Sequence, residues 1–181
     1  MSEAKEIIIW DPIVRIFHWS LAASFLINFF ITEDGDTIHN WVGYVAMFLI
    51  AIRIIWGFIA FGFKGSKNAL FKNFWPTKQK VHEHFLEIQF GKLDPNEGHN
   101  PAGALMIFTL MGLISLLGFT GYLMENVDFF WGSDFMEDFH ELLANITMLA
   151  VVLHVSSVLV IQKWTGTQLV KPMWKGKREI K

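Results

Sequence analysis

Four long apolar runs dominate the chain, at about Ile13–Ile31, Trp41–Phe63, Pro101–Leu123 and Phe139–Ile161, separated by shorter polar stretches. Each is long enough to cross a hydrocarbon core of roughly 30 Å at about 1.5 Å of rise per helical residue. The pattern predicts an all-α protein, a four-helix transmembrane bundle forming one membrane domain over residues 1–181. Asp11-Pro12 reads as an N-cap followed by proline at the first helical position, and Asn100-Pro101 reads the same way. Asp134 and Glu137 stand in capping-box spacing, so the fourth helix is expected to begin in the loop ahead of the bilayer. Trp75-Pro76 opens an expected interfacial helix over about residues 76–90, where Val81, Phe85 and Ile88 fall at helical spacing among Lys78, Lys80 and Glu87. The first run lacks a basic leader and an A-x-A-like cleavage site, and is read as a retained span.

Composition sharpens this picture. Apolar residues make up 52% of the chain and mean hydropathy is +0.36, outside the range of a water-soluble domain. Eight tryptophans suit a protein with two bilayer–water boundaries. Cysteine is absent, which excludes disulfides, thiolate chemistry, iron–sulfur clusters and covalent c-type haem attachment through this chain. A metal would therefore rest on histidine, carboxylate or methionine.

Charge orients the spans. Lys5 and Arg15 flank the first, Lys64, Lys67, Lys72, Lys78, Lys80 and Lys92 separate the second from the third, and Lys163, Lys171, Lys175, Lys177, Arg178 and Lys181 follow the fourth. The other two loops, Thr32–Asn40 and Met124–Asp138, hold no Lys or Arg but carry Glu33, Asp34, Asp36, Glu125, Asp128, Asp134, Glu137 and Asp138. The positive-inside rule then puts both termini and the long middle loop in the cytoplasm. The expected location is the bacterial cytoplasmic (inner) membrane, crossed several times. No nucleic-acid partner is expected.

Four of the seven histidines, His18, His39, His140 and His154, lie in or at the edges of the spans, where an ionisable group is costly and calls for a function. His140 and His154 are fourteen residues apart in the fourth span. On a helix they share nearly one face, offset by about 40° and separated by roughly 21 Å along the axis. Depth matches His154 with His18 on the inner side and His140 with His39 on the outer side. Two imidazoles facing each other at one level are what a bis-histidine haem iron requires, because its axial ligands approach from opposite faces of the porphyrin. The set supplies two such pairs. Small residues beside them leave room for a flat macrocycle: Ala22 and Ala23, Gly43 and Ala46, and Ser115, Gly118 and Gly121, although such stripes serve plain helix packing equally often. Arg53, the one basic residue deep in a span, is read as a salt-bridge partner for a propionate of the inner haem, in competition with snorkelling to the headgroups. His82 and His84 fall in the basic loop and are read as solvated.

The segment Trp10-Asp-Pro-Ile-Val-Arg-Ile-Phe-His18-Trp19 resembles the W-D-x-x-V-R-x-x-H-W opening of the bacterial cytochrome b561 family, which includes the b-type cytochrome subunits of nickel-iron hydrogenases. Arg53-Ile-Ile-Trp56-Gly57 and Gly98-His99-Asn100-Pro101 are similar to that family's second-span and third-span signatures. The resemblance covers essentially the whole chain. It implies two haems b held by histidines of the first, second and fourth spans, matching His18, His39, His140 and His154. It also implies exchange of electrons with a quinone or quinol, commonly near the inner haem, and a redox partner on the outer side: a hydrogenase, a dehydrogenase, a soluble c-type cytochrome, or superoxide. On that basis the chain is expected to be an electron-transfer cytochrome with quinone oxidoreductase activity as an extension. His99 is left as a contact to a propionate or quinone.

Two rival readings use the same residues. A metal-ion transporter would bind a cation through the membrane histidines and outer carboxylates, but needs about four ligands converging on one site, whereas the two histidines of the fourth span stand too far apart to share one ion. A purely structural anchor for another subunit predicts that none of the four histidines matters.

Overall fold

The computed structural model describes residues 5–77, 79, 82 and 101–180. Four helices are long and apolar enough to cross a membrane: α1 (Pro12–Phe30), α2 (Thr37–Ile59), α3 (Pro101–Asn126) and α4 (Asp134–Thr165). The protein is a multi-pass membrane protein with an all-α body. Large apolar side chains such as Phe30, Phe48, Phe58 and Leu149 stand on the outside of these helices, as lipid-facing residues do. Polar side chains inside the spans satisfy themselves locally: Ser24 donates to the Ser20 carbonyl (2.9 Å), Ser115 to Met111 (2.7 Å) and the buried Thr147 to Leu143 (2.7 Å).

The helix ends follow local chemistry more closely than hydropathy does. The Val14 amide donates to Asp11 Oδ1 at 2.9 Å, the N-cap expected at the start of α1. α2 begins at Thr37, earlier than the apolar run, because Asp36 sets its start: the Asp36 carbonyl accepts from the Asn40 amide (3.1 Å) and its carboxylate from the Thr37 amide (2.7 Å). His39 therefore sits in the first turn of α2. The helix stops at Ile59, before Gly62 and Gly65, whose φ values of 81° and 89° lie in the left-handed region. α4 starts in the loop as expected, but its cap is Ser133, whose carbonyl accepts from the amides of Met136 (2.9 Å) and Glu137 (3.1 Å). Asp134 and Glu137 both lie in its first turn, where negative charge meets the positive end of the helix dipole. Asn100, His99, His84 and most of the expected interfacial helix over residues 76–90 lie outside the described residues; within it, Gln79 and His82 are helical.

Contacts divide the chain into two compact units. One comprises Met1–Ile16, Ile54–Ile107 and Leu153–Lys181, the other Phe17–Arg53 and Phe108–Val152. In the first unit, β1 (Lys5–Ile8) pairs antiparallel with β2 (Lys177–Ile180), a small sheet that hydropathy gave no reason to expect. Ile9, Trp10, Val14, Ala60 and Ala69 form a core beneath it. Asp11 is fully buried there, and its second carboxylate oxygen accepts from the Trp56 indole N–H at 3.1 Å. Gly176 bends the chain into β2 with φ 76°, its carbonyl accepting from the Ile9 amide (2.8 Å), and a Cβ on it would come within 3.0 Å of the Trp10 carbonyl. Arg15 donates to the Trp174 carbonyl (2.8 Å), and Gly57 lets the Phe71 ring lie against bare backbone.

The second unit packs Phe25, Leu117 and Leu143, from α1, α3 and α4, into a core joined by Phe29, Leu113, Ala144, Met148 and Val151. Gly118 on α3 admits the Met47 side chain of α2 into the space its own Cβ would take. Ala46 is buried in this unit, whereas Ala23 is exposed.

Candidate haem site

Two side chains near the end of α1 fix His39. Asn28 donates from Nδ2 to the His39 carbonyl at 3.0 Å, and Thr32, one turn later, brings its hydroxyl to 3.0 Å from His39 Nδ1. The turn over residues 31–36 folds the start of α2 back onto these two residues, and Asn28 Nδ2 lies 3.8 Å from where a Cβ on Gly43 would stand, an ordinary contact. One helix end thus holds both the backbone and the ring of this histidine.

His140, two turns into α4, is held from α3. The buried Thr120 hydroxyl lies 2.8 Å from His140 Nδ1, and Gly121 presents a bare backbone to the ring, with 3.4 Å between its notional Cβ and His140 Cε1. The ring centroids of His39 and His140 are 6.2 Å apart, with the planes at 61°.

That separation fits a metal between them. Two metal–nitrogen bonds of about 2 Å, each followed by about 1.1 Å to the ring centre, place coaxial imidazole centroids roughly 6.2 Å apart. The Nδ1 atom of each ring is engaged by a hydroxyl, which leaves Nε2 as the nitrogen for an iron. A ligating histidine whose other nitrogen is hydrogen-bonded is the usual outer-shell arrangement at metal sites. The donor set is thus suited to a bis-imidazole haem.

The remaining expected residues fall as follows. His18 belongs to the second unit, half-buried, its ring edge-on to Trp19 at 5.0 Å. His154 belongs to the first unit and is also half-buried. Arg53 is only 3% exposed, so it is directed into protein and does not snorkel. Among the described residues, no group of three or more His, Asp or Glu side chains could hold a metal ion, so the ion-transporter reading gains no support. Sequence reasoning missed Asn28, Thr32 and Thr120. Their signal was small: Asn28 and Thr120 are isolated polar residues inside apolar helices and Thr32 opens the turn after one, and such residues back-bond to the preceding helical turn often enough to pass unremarked.

A multi-pass helical protein that brings imidazoles from separate helices within 6.2 Å of each other has the build of a membrane cytochrome. The family model described as prokaryotic cytochrome b561 matches residues 9–176, and the chain belongs to that family. No curated protein and no solved structure matches it. Membership makes it a membrane electron-transport protein of the b-type haem class.

Proposed function

We propose that this chain carries electrons across the bacterial inner membrane through two b-type haems, linking the membrane quinone pool to a redox partner on the outer side. His39 and His140 would hold the outer haem, and His18 and His154 the inner one. When bound, each haem would supply a one-electron couple, with these histidines as its protein ligands, which suits electron transfer. The observation that carries this reading is the His39–His140 pair, at a separation suited to an iron between the rings.

The chain's own residues define the rest. Charge places both termini and the residue 64–92 segment in the cytoplasm, with the whole chain as one di-haem membrane domain. Arg53, buried and cationic, is suited to a propionate of the inner haem, since guanidinium forms charge-assisted pairs with carboxylates. The acidic residues Glu33, Asp34, Asp36, Glu125, Asp128, Asp134, Glu137 and Asp138 give the outer face a negative field that suits a basic patch on a c-type cytochrome, hydrogenase or dehydrogenase.

Haem counting tests the proposal. Purified protein assayed as its pyridine haemochrome is expected to contain about two haems b per chain, reducible by a quinol analogue. His140→Ala and His154→Ala should each leave one, affecting different haems. A colourless protein made with ample haem supply would refute the reading, and two retained haems in either variant would refute the pairing.

A further inference from the structure

The two hydroxyls beside the histidine rings have a geometry that fixes more than position. A threonine hydroxyl carries one proton and two lone pairs. Thr120 Oγ1 lies 3.0 Å from the carbonyl oxygens of both Leu116 and Leu117, which only accept. If the proton pointed to His140 instead, the hydroxyl oxygen would face two carbonyl oxygens with no hydrogen between them, in a residue only 3% exposed. The proton therefore goes to the carbonyls. At 2.8 Å from His140 Nδ1, the hydroxyl must then accept, so Nδ1 carries the ring proton. Thr32, in the turn that follows α1, repeats the arrangement: Oγ1 lies 3.1 Å from the Asn28 carbonyl and 3.0 Å from His39 Nδ1, with the Asn28 side-chain oxygen at 3.4 Å.

We propose that Thr120 and Thr32 are positioning residues that set the tautomer of the two histidines, holding the proton on Nδ1 of His140 and of His39 so that Nε2 of each ring is left with its lone pair free for a ligand. This rests on the reading of the pair as axial ligands and deepens it. A neutral imidazole ligates through its unprotonated nitrogen, and the free ring exchanges its proton between the two positions. Two rings must be in the right form at once, so a device that biases both removes a reorganisation cost from binding. It also strengthens the donor, because an N–H that gives its hydrogen to an acceptor makes the ring more basic. Thr32 reaches the site from the turn after α1 and Thr120 from α3, and neither segment supplies a ligand to it. Each therefore locks a ring whose own helix cannot.

Thr120→Val, close to threonine in shape and without the hydroxyl, and Thr120→Ser, which keeps the hydroxyl, separate tautomer control from packing. In haem-free protein, the imidazole nitrogen shifts of His140 in ¹⁵N NMR should report a proton on Nδ1, become mixed in Thr120→Val and recover in Thr120→Ser. In haem-loaded protein, Thr120→Val should lower affinity at the His39/His140 site by about 10-fold or more, the usual effect of removing an outer-shell partner. The midpoint potential of that haem should also rise, while the second haem is unchanged. Thr32→Val should act in the same direction through His39, which keeps the idea testable if one valine variant fails to fold. An Nε2 proton in the wild-type apoprotein overturns the inference, as does a serine variant as impaired as the valine one. The outcomes also separate this idea from the ligand assignment. A protonated Nδ1 lost in Thr120→Val supports tautomer control even where haem counting finds no haem, whereas two haems with an unchanged potential in Thr120→Val overturn it and leave the ligands in place.

Discussion

Asp11→Ala offers the sharpest test of how the first unit is held. In the folded protein the carboxylate does two jobs while fully buried: one oxygen caps α1 through the Val14 amide at 2.9 Å, and the other accepts the Trp56 indole N–H at 3.1 Å. Loss of a helix N-cap costs about 1 kcal/mol. A buried donor left without an acceptor costs about 1–3 kcal/mol. The sum is about 2–4 kcal/mol, and a chain of this size loses roughly 2–4 °C of Tm per kcal/mol, so a drop on the order of 10 °C is expected. Asp11→Asn keeps an acceptor for the cap but turns an amide N–H₂ toward the indole donor, so it should fall about midway. The assay is thermal unfolding in detergent at one scan rate, followed by tryptophan fluorescence for Asp11→Ala and by helical circular dichroism where Trp56 is replaced. A double-mutant cycle with Trp56→Phe then isolates the contact, with a coupling of about 0.5–3 kcal/mol expected between touching residues. Strict additivity of the two substitutions, or an Asp11→Ala protein melting within about 2 °C of wild type, would refute the reasoning.

Gly121→Leu should crowd the His140 ring and reduce the haem count by one, with overpacking of about 1–3 kcal/mol; Gly121→Ala, whose Cβ would sit 3.4 Å from His140 Cε1 in ordinary contact, should retain both haems. The terminal sheet should respond to acid. Lys171, hydrogen-bonded to Glu179 at 2.6 Å, holds that carboxyl below its ordinary value, so the pair's contribution is complete above the ordinary carboxylate range and is lost as pH falls through the lowered value. Hydrogen-exchange protection of residues 177–180 should drop over that window, and Lys171→Met should flatten the dependence; an equally steep acid response in the variant would count against it.

Much of this protein is legible in its amino-acid sequence, because the bilayer imposes length and hydropathy on whatever crosses it. The four spans stand out for that reason, and so does the pairing of His39 with His140, since an imidazole near a membrane is rare enough to be noticed. Boundaries are less legible. α2 begins at Thr37 because Asp36 can cap it, a local event that a hydropathy window averages away. The signature Trp10-Asp11 points to the family, but its physical role is visible only in three dimensions: Asp11 ties the start of α1 to Trp56, forty-five residues away. Thr32 and Thr120 are hidden for another reason. A threonine in an apolar helix, or in the turn just after one, carries no mark of whether its second lone pair is in use, and only the ring nitrogen beside it reveals that.

The pairing of β1 with β2 sets an order on biogenesis. Lys5–Ile8 precedes the four membrane helices in the chain, yet its partner strand Lys177–Ile180 is synthesised only after them. Until then Ile7 and Ile8 have no sheet to join, and a nascent chain must keep that edge from other strands while its helices insert. Because hydrogen-bonded neighbours cannot lie on opposite faces of a bilayer, insertion of an odd number of helices would make this clasp impossible. The sheet is thus compatible only with a chain threaded an even number of times.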